Sequence, residues 1–246
     1  MAIYRLLKVG KSVMYELLRE TKLLNLNNPT IKKLIQNRKW QQLSEKERIC
    51  AIYNYVRDEI AFGYNISDNM TASEILNDGY GQCNTKGILF MALLRAVNIP
   101  CRIHGFYVDK IIQKGTITGL FYKLSPNEIM HSWVEVYYNN QWYNLEGFIL
   151  DIKYLNGLQD KFINYTGSFC GFAVAISDFQ DPPINWNEND TYIQKDGIIA
   201  DLGVFNSPDE LLEKHQQKIG WFKDFMYRNI VRQSMNRNVE KIRCLH

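Results

Sequence analysis

Asp78-Gly-Tyr-Gly-Gln-Cys-Asn-Thr-Lys-Gly87 is the stretch that decides the fold, and it carries the thiol of Cys83. Gly79 and Gly81 loosen the backbone just before the cysteine, and an apolar helical pattern begins just after it. The pattern places Cys83 at a helix N-terminus, where unpaired N–H groups and the helix dipole favour a thiolate. Because the thiolate is the nucleophilic form, Cys83 is a candidate catalytic residue.

The segment after Cys83 is apolar on most of its helical faces. The residues from Ile88 to Leu94 include one aromatic and several aliphatic side chains and no charge. A helix that is apolar nearly all round is typical of a buried central position. Pro100 prevents the helix from continuing, so we expect it to end near Val97.

A histidine that opens a predicted strand is the best candidate for a base. His131-Ser-Trp-Val-Glu-Val-Tyr-Tyr138 alternates between apolar and polar residues, and His131 is its first residue, so its ring can project from the strand end into a cleft. His104 lies on an earlier predicted strand and is the weaker candidate, while His215 and His246 lie in or near the polar C-terminus.

The next predicted strand offers an acid. Asn139-Asn140 is typical of a hairpin turn, and Gln141-Trp-Tyr-Asn-Leu-Glu146 is the return strand. The hairpin sets Glu146 roughly opposite His131, where a carboxylate can accept a ring N–H and stabilise the imidazolium. Asp151 lies slightly farther along the chain and is the reserve candidate.

Two capping boxes mark the starts of helices before the Cys83 segment. Ser44 is followed by Glu47, and Thr71 is followed by Glu74, each with the spacing at which the two side chains satisfy one another's backbone N–H groups. We therefore predict helices that begin just after Ser44 and just after Thr71.

The remaining segments carry weaker patterns. Residues 111–129 look like a hairpin or a mobile loop, and Phe172-Ala-Val-Ala-Ile176 looks like a short strand. Ser207 begins a helix, because Pro208 and Glu210 follow it at the positions that favour a start. A long amphipathic segment runs from Trp221 towards the C-terminus.

The composition excludes several classes of protein. The 246 residues are 46% hydrophobic and 22% charged, and the net charge of +3 is too small to indicate nucleic-acid binding. The five cysteines are odd in number and widely spaced, which indicates neither a disulfide framework nor a zinc site. No apolar stretch is long enough for a signal peptide or a membrane span, so we expect a soluble, cytoplasmic protein without membrane insertion.

Four pieces of the sequence, in this order, resemble the transglutaminase-like superfamily. They are Gly81-Gln-Cys83, Leu94-Arg-Ala-Val-Asn-Ile-Pro-Cys-Arg102, His131-Ser-Trp-Val-Glu-Val136 and Trp142-Tyr-Asn-Leu-Glu146. The resemblance covers about residues 44–151. It implies an α+β fold with a papain-like core, in which a buried helix bearing the cysteine packs on an antiparallel sheet.

The resemblance also suggests how the chain is organised. We expect an N-terminal helical extension over residues 1–43, a catalytic core over residues 44–155, and a C-terminal extension over residues 156–246 that ends in helices. The three parts are expected to form one compact domain. We also expect Arg102 to fix a loop by hydrogen bonds.

Two positions depart from the family pattern. The third catalytic residue is usually an aspartate, and the matching position here is Glu146; acids do vary at this place in such triads. Asn98 replaces the usual glycine before Ile99-Pro100, and asparagine is the commonest other residue in the left-handed conformation. Neither change indicates an inactive site.

The resemblance implies acyl transfer through a thioester on Cys83, with His131 as base and then acid and Glu146 as orienting acid. The substrate would be a peptide, a protein or another amide, and no metal or organic cofactor is implied. We favour hydrolysis over crosslinking, because nothing in the sequence identifies an amine-acceptor site. The alternatives are a catalytically inactive protein-interaction module and an N-acyltransferase with a thioester donor. The sequence leaves the oligomeric state open.

Overall fold

The computed structural model describes residues 14–215 and 220–245, without the side chains of residues 222 and 223. The predicted N-terminal extension therefore lies partly outside the described residues, and His246 lies entirely outside them.

Helices and strands alternate along much of the described chain. The helices are α1 Pro29–Arg38, α2 Glu45–Asp58, α3 Ala72–Asp78, α4 Cys83–Ala96, α5 Gly119–Leu124, α6 Ile152–Lys161, α7 Pro208–His215, α8 Trp221–Met226 and α9 Arg232–Arg243. The strands are β1 Ala61–Phe62, β2 Tyr80–Gly81, β3 Cys101–Asp109, β4 Glu128–Tyr138, β5 Gln141–Leu145, β6 Phe169–Gly171, β7 Val174–Ile176 and β8 Ile198–Phe205. A π-helical turn, Tyr227–Val231, joins α8 to α9.

Both predicted capping boxes are present. The backbone N–H of Ser44 donates to the Glu47 carboxylate at 2.9 Å, and that of Thr71 donates to the Glu74 carboxylate at 2.8 Å. Helices α2 and α3 begin at the next residue in each case. The caps satisfy N–H groups that have no partner inside the helix, which fixes both starts locally.

The main sheet is antiparallel, with strand order β5-β4-β3-β8. The turn between β4 and β5 lies at Asn139 and Asn140, whose φ angles of 50° and 61° are those of a tight hairpin turn, as predicted. The prediction that His131 is the first residue of its strand is wrong. The ladder between β3 and β4 extends to the pair Asp109 and Glu128, so His131 lies inside the strand.

Helix α4 is buried against this sheet. The side chains from Ile88 to Leu94 are essentially inaccessible to solvent. Gly87 faces β4, where an added Cβ would lie in ordinary contact, 3.7 Å from a methyl group of Val134. The structure is therefore of the predicted α+β class, with the cysteine-bearing helix packed on an antiparallel sheet.

The structure differs from two of the weaker segment predictions, although residues 174–176 of the predicted strand 172–176 do form β7. Residues 111–129 form no hairpin: they contain most of the short helical turn Lys110–Gln113 and helix α5, and β4 has begun by Glu128. Phe172 and Ala173 have φ angles of 53° and 61°, so they form the turn between β6 and β7 instead of continuing a strand.

The C-terminal half contributes directly to the core. Strand β8 completes the sheet beside β3, although the sequence did not predict it. Helix α9 lies so close to α6 that a Cβ at Gly157 would sit 2.1 Å from the carbonyl oxygen of Ile242. Within the described ranges, no helix has the length and apolar character that a membrane span needs. The domain bounds proposed from the sequence stay a prediction.

Candidate active site

Cys83 is the first residue of α4 and is half-buried. The backbone N–H of Gln82 donates to the hydroxyl of Thr85 at 2.9 Å, and this hydroxyl donates to Asn65 at 2.6 Å. A side chain at Gly81 would meet the same hydroxyl at 2.8 Å, so the cap requires glycine there. These contacts fix the first turn of α4 and hold the thiol beside the helix N-terminus.

Asn84, the next residue, joins this turn to the strand that carries His131. Its amide nitrogen donates to the carbonyl oxygen of Met130 at 3.3 Å, and its oxygen accepts from the hydroxyl of Ser132 at 2.8 Å. Met130 and Ser132 flank His131 in the chain. Asn84 is buried, so these bonds are shielded from water and hold Cys83 and His131 in a fixed relation.

His131 and Glu146 form a buried pair. The Nε2 atom of His131 lies 2.6 Å from Oε1 of Glu146, and the two side chains are 1% and 0% exposed. A short contact of this kind is typical of a charge-assisted hydrogen bond. It fixes the ring orientation and leaves Nδ1 as the other polar atom of the ring.

Two backbone N–H groups anchor the second oxygen of Glu146. Its Oε2 accepts from Ile193 at 2.7 Å and from Gln194 at 2.8 Å. The hydroxyl of Thr191 accepts from the backbone N–H groups of Glu146 and Gly147, at 3.2 and 3.1 Å. The carboxylate is therefore hydrogen-bonded on both oxygens, which fixes its position beside the imidazole of His131.

The groups around His131 raise the pKa of its ring. Burial by itself lowers this pKa, but the interactions with Cys83 and with Glu146 outweigh burial and raise it to about 10. Nδ1 is buried and makes no hydrogen bond to another described residue, although Cys83 lies close enough to affect the pKa. Such contacts often tighten only when substrate binds.

The other sequence candidates lie elsewhere. His104 bonds to Glu135 and Asp201, each at 2.9 Å. Asp151, the reserve acid, caps α6 and pairs with Arg243 at 2.8 Å. The prediction that Arg102 fixes a loop is wrong.

Instead, Nε of Arg102 on β3 donates to Oε2 of Glu135 on the neighbouring strand β4 at 2.5 Å. Its guanidinium also lies 4.0 Å from the ring centre of Trp142. It therefore ties β3 to β4 and β5.

The sequence reasoning missed the residues that position the three candidates. Asn84 stands in the opening motif, and its signal is a polar side chain directly after the cysteine, at the start of a helix that becomes apolar from Ile88. Thr191 and Gln194 carry no local signal, because they come from an irregular segment more than forty residues after Glu146.

An apolar cavity of about 770 Å³ opens onto Cys83 and His131. Gln82 also lines it, and its side-chain amide donates to the carboxylate of Asp68. Burial raises the pKa of Asp68, opposed by the hydrogen bonds from Asn84 and Gln82. The thiol and the imidazole thus line a cleft large enough for an organic ligand.

A family model matches the segment that contains these residues. Residues 32–147 match the model of the transglutaminase-like superfamily, a segment that contains Cys83, His131 and Glu146. The search of curated proteins found no match. Among solved structures, the protein is similar to a "Putative Cysteine Protease from Cytophaga hutchinsonii", with a TM-score of 0.42 and 13% identity. The alignment covers 80% of this chain and 48% of that one, so the protein spans about half the length of this relative.

Proposed function

We propose that the protein is a cysteine-dependent acyl-transfer enzyme that hydrolyses an amide bond, a proposal that the match of residues 32–147 to the transglutaminase-like superfamily supports. One observation carries the proposal: His131, between Cys83 and Glu146, bonds to a carboxylate whose other oxygen is held by two backbone N–H groups. In this proposal Cys83 is the nucleophile, His131 the base and acid, and Glu146 the orienting acid.

The first half-reaction forms a thioester. The Cys83 thiolate attacks the carbonyl carbon of the substrate, and a sulfur–carbon bond forms. The N–H groups at the start of α4, including that of Cys83, stabilise the oxyanion. The imidazolium of His131 donates its proton to the leaving nitrogen as the carbon–nitrogen bond breaks, and an amine departs.

The second half-reaction releases the acid. A water molecule gives a proton to neutral His131 and attacks the thioester carbon. The sulfur–carbon bond breaks, and the carboxylic acid leaves. Cys83 and His131 return as a thiolate and an imidazolium. Glu146 keeps its charge throughout and stabilises the imidazolium in both steps.

A reducing compartment suits this chemistry. All five cysteines are free, and Cys83 must stay unoxidised to act as a nucleophile. Free thiols are typical of cytosolic proteins. We therefore include a cytoplasmic location in the proposal.

Alkylation rates test the role of Cys83. At pH 7 we expect iodoacetamide to modify Cys83 at least about tenfold faster than exposed Cys170 and Cys244, because a paired thiolate reacts faster than an ordinary thiol. His131→Ala is expected to remove most of the difference. Peptide mass spectrometry gives the rate at each cysteine.

The matched control is His104→Ala, since His104 is also a strand histidine bonded to a carboxylate. This variant should leave the rate at Cys83 unchanged. Equal rates at Cys83 and the exposed cysteines would contradict the catalytic proposal and favour an inactive interaction module.

A further inference from the structure

The cavity at Cys83 is apolar on most of its walls. Its apolar lining includes Phe62, Ile66, Ile112, Phe121, Leu124 and Met235. Pockets of roughly 300–1,000 Å³ bury most of a drug-sized ligand, and this one has about 770 Å³. Its space therefore exceeds what one amino-acid side chain fills.

The charged groups on the cavity wall are already paired. Asp68 accepts hydrogen bonds from the side chains of Gln82 and Asn84. Arg228 lies 2.7 Å from Asp224. Among the described lining residues, the cationic side chains Arg228 and His131 already pair with the carboxylates of Asp224 and Glu146, so the cavity favours an uncharged ligand.

The apolar character continues to the mouth of the cavity. Leu124, at the end of α5, lines the cavity and is 60% exposed. Ile66 also lines the cavity and is 40% exposed. Large apolar side chains at a pocket mouth mark binding sites for apolar ligands.

We propose that this cavity binds the aliphatic chain of a long-chain acyl group whose carbonyl lies at Cys83. The substrate class is then an N-acyl amide with an apolar acyl chain, and a polar peptide is excluded. This inference rests on the proposed acyl transfer at Cys83 and deepens it. The covalent steps are those already given, with the fatty acid as the released acid.

Binding without chemistry tests the cavity directly. In Cys83→Ala, calorimetry measures the affinity for N-butanoyl, N-octanoyl and N-decanoyl glycinamide. Full burial of one methylene raises the affinity about fourfold, and decanoyl has six methylenes more than butanoyl. Even partial burial of these six methylenes should therefore raise the affinity about a hundredfold or more. An affinity that does not change with chain length would overturn the inference.

A matched pair of leucines on α5 locates the site. In the Cys83→Ala background, Leu124→Asp is expected to weaken decanoyl binding about tenfold or more, because it puts a charge at the mouth of the cavity. Leu120→Asp is the control, since Leu120 is 66% exposed on the same helix and does not line the cavity. Both residues are exposed, so both variants should fold; equal losses in the two would contradict the location.

Intact mass separates this inference from the proposed function. The wild-type protein is mixed with p-nitrophenyl esters of acetate, octanoate and decanoate, which acylate Cys83 as p-nitrophenolate leaves. Faster acylation with longer chains supports both the proposed acyl transfer at Cys83 and the binding of the acyl chain in the cavity. Acylation that is independent of chain length, or faster with a polar peptide ester, overturns the acyl-chain inference alone. Tight decanoyl binding without any acylation overturns the proposed function and leaves the cavity assignment supported.

Discussion

Glu146 and Asp151 are both buried acids, and their contacts give them different tasks. Glu146 bonds to His131 and to two backbone N–H groups, so its charge acts on the imidazole. Asp151 bonds to Arg243 and to the backbone N–H groups of Phe62 and Tyr154, so its charge acts on the packing of α6 and α9.

We expect Glu146→Gln to lower kcat about 10²- to 10⁴-fold, because the amide no longer stabilises the imidazolium. Its free energy of unfolding should also fall, since two backbone N–H groups lose a charged acceptor. Steady-state turnover of an amide substrate measures the first effect.

Asp151→Asn is the matched control. It should keep most of the turnover per folded molecule and lose about 2–4 kcal/mol of unfolding free energy, because Arg243 loses its buried partner. Urea unfolding measures this loss. A larger fall in kcat in Asp151→Asn than in Glu146→Gln would reassign the third member of the triad.

At the scale of elements, helix α9 supports the wall of the candidate site. The oxygen of Asn236 accepts from the backbone N–H of Tyr64 at 2.7 Å, and its amide nitrogen donates to the carbonyl oxygen of the same residue at 3.1 Å. The side chain therefore pairs with the backbone as a neighbouring strand would. Tyr64 lines the cavity beside Cys83.

Asn236→Ala is expected to lower the free energy of unfolding by about 1–3 kcal/mol, because both backbone groups of Tyr64 lose a partner. Asn229→Ala is the control: Asn229 is exposed and bonds only to a carbonyl of its own helical segment among the bonds described. We expect a change within about 0.5 kcal/mol there. Urea unfolding measures the loss of unfolding free energy in both variants. Equal losses would mean that the two hydrogen bonds between Asn236 and the backbone of Tyr64 do not stabilise the fold.

The elements that local chemistry specifies were predictable from the sequence. Capping boxes and a turn with two asparagines depend on residues a few positions apart, so α2, α3 and the hairpin of β4 and β5 were found. Strand β8 was missed, because bulges interrupt its ladder and most of its residues are exposed or half-exposed. Its alternation of apolar and polar residues is therefore weak.

The same distinction applies to the candidate site. Cys83, His131 and Glu146 carried signals of their own, from a helix start, a strand and a hairpin. The anchor of Glu146 did not, since Thr191, Ile193 and Gln194 reach it through a long irregular connection whose course depends on tertiary packing.

At the scale of the whole molecule, a buried lysine makes stability depend on pH. Lys86 on α4 is fully buried and donates to the carbonyl oxygens of Arg57 at 3.1 Å and Ile149 at 2.9 Å. Burial lowers the pKa of Lys86 to about 7, against its usual value of 10.5. Between these pH values the unfolded chain holds a proton that the folded protein has released, so the free energy of unfolding rises with pH.

We expect the unfolding free energy of the wild type, relative to Lys86→Met, to rise by about 1–3 kcal/mol between pH 7 and pH 9. Urea unfolding across this range measures the difference, and taking the difference cancels groups that titrate in both proteins. Lys153→Met, at an exposed position of α6, is the control, and its unfolding free energy should change with pH as that of the wild type does. If the unfolding free energies of the wild type and Lys86→Met change with pH in the same way, the pKa of Lys86 is not lowered in the folded protein.

The anchoring of Glu146 by Ile193 and Gln194 has a consequence for the order of events during translation. During synthesis Cys83, His131 and Glu146 leave the ribosome well before Ile193 and Gln194, and α9 follows later still. The Glu146 carboxylate therefore has no anchor for its second oxygen until residues 193 and 194 have been made. We expect the candidate site to reach its final geometry only late in synthesis.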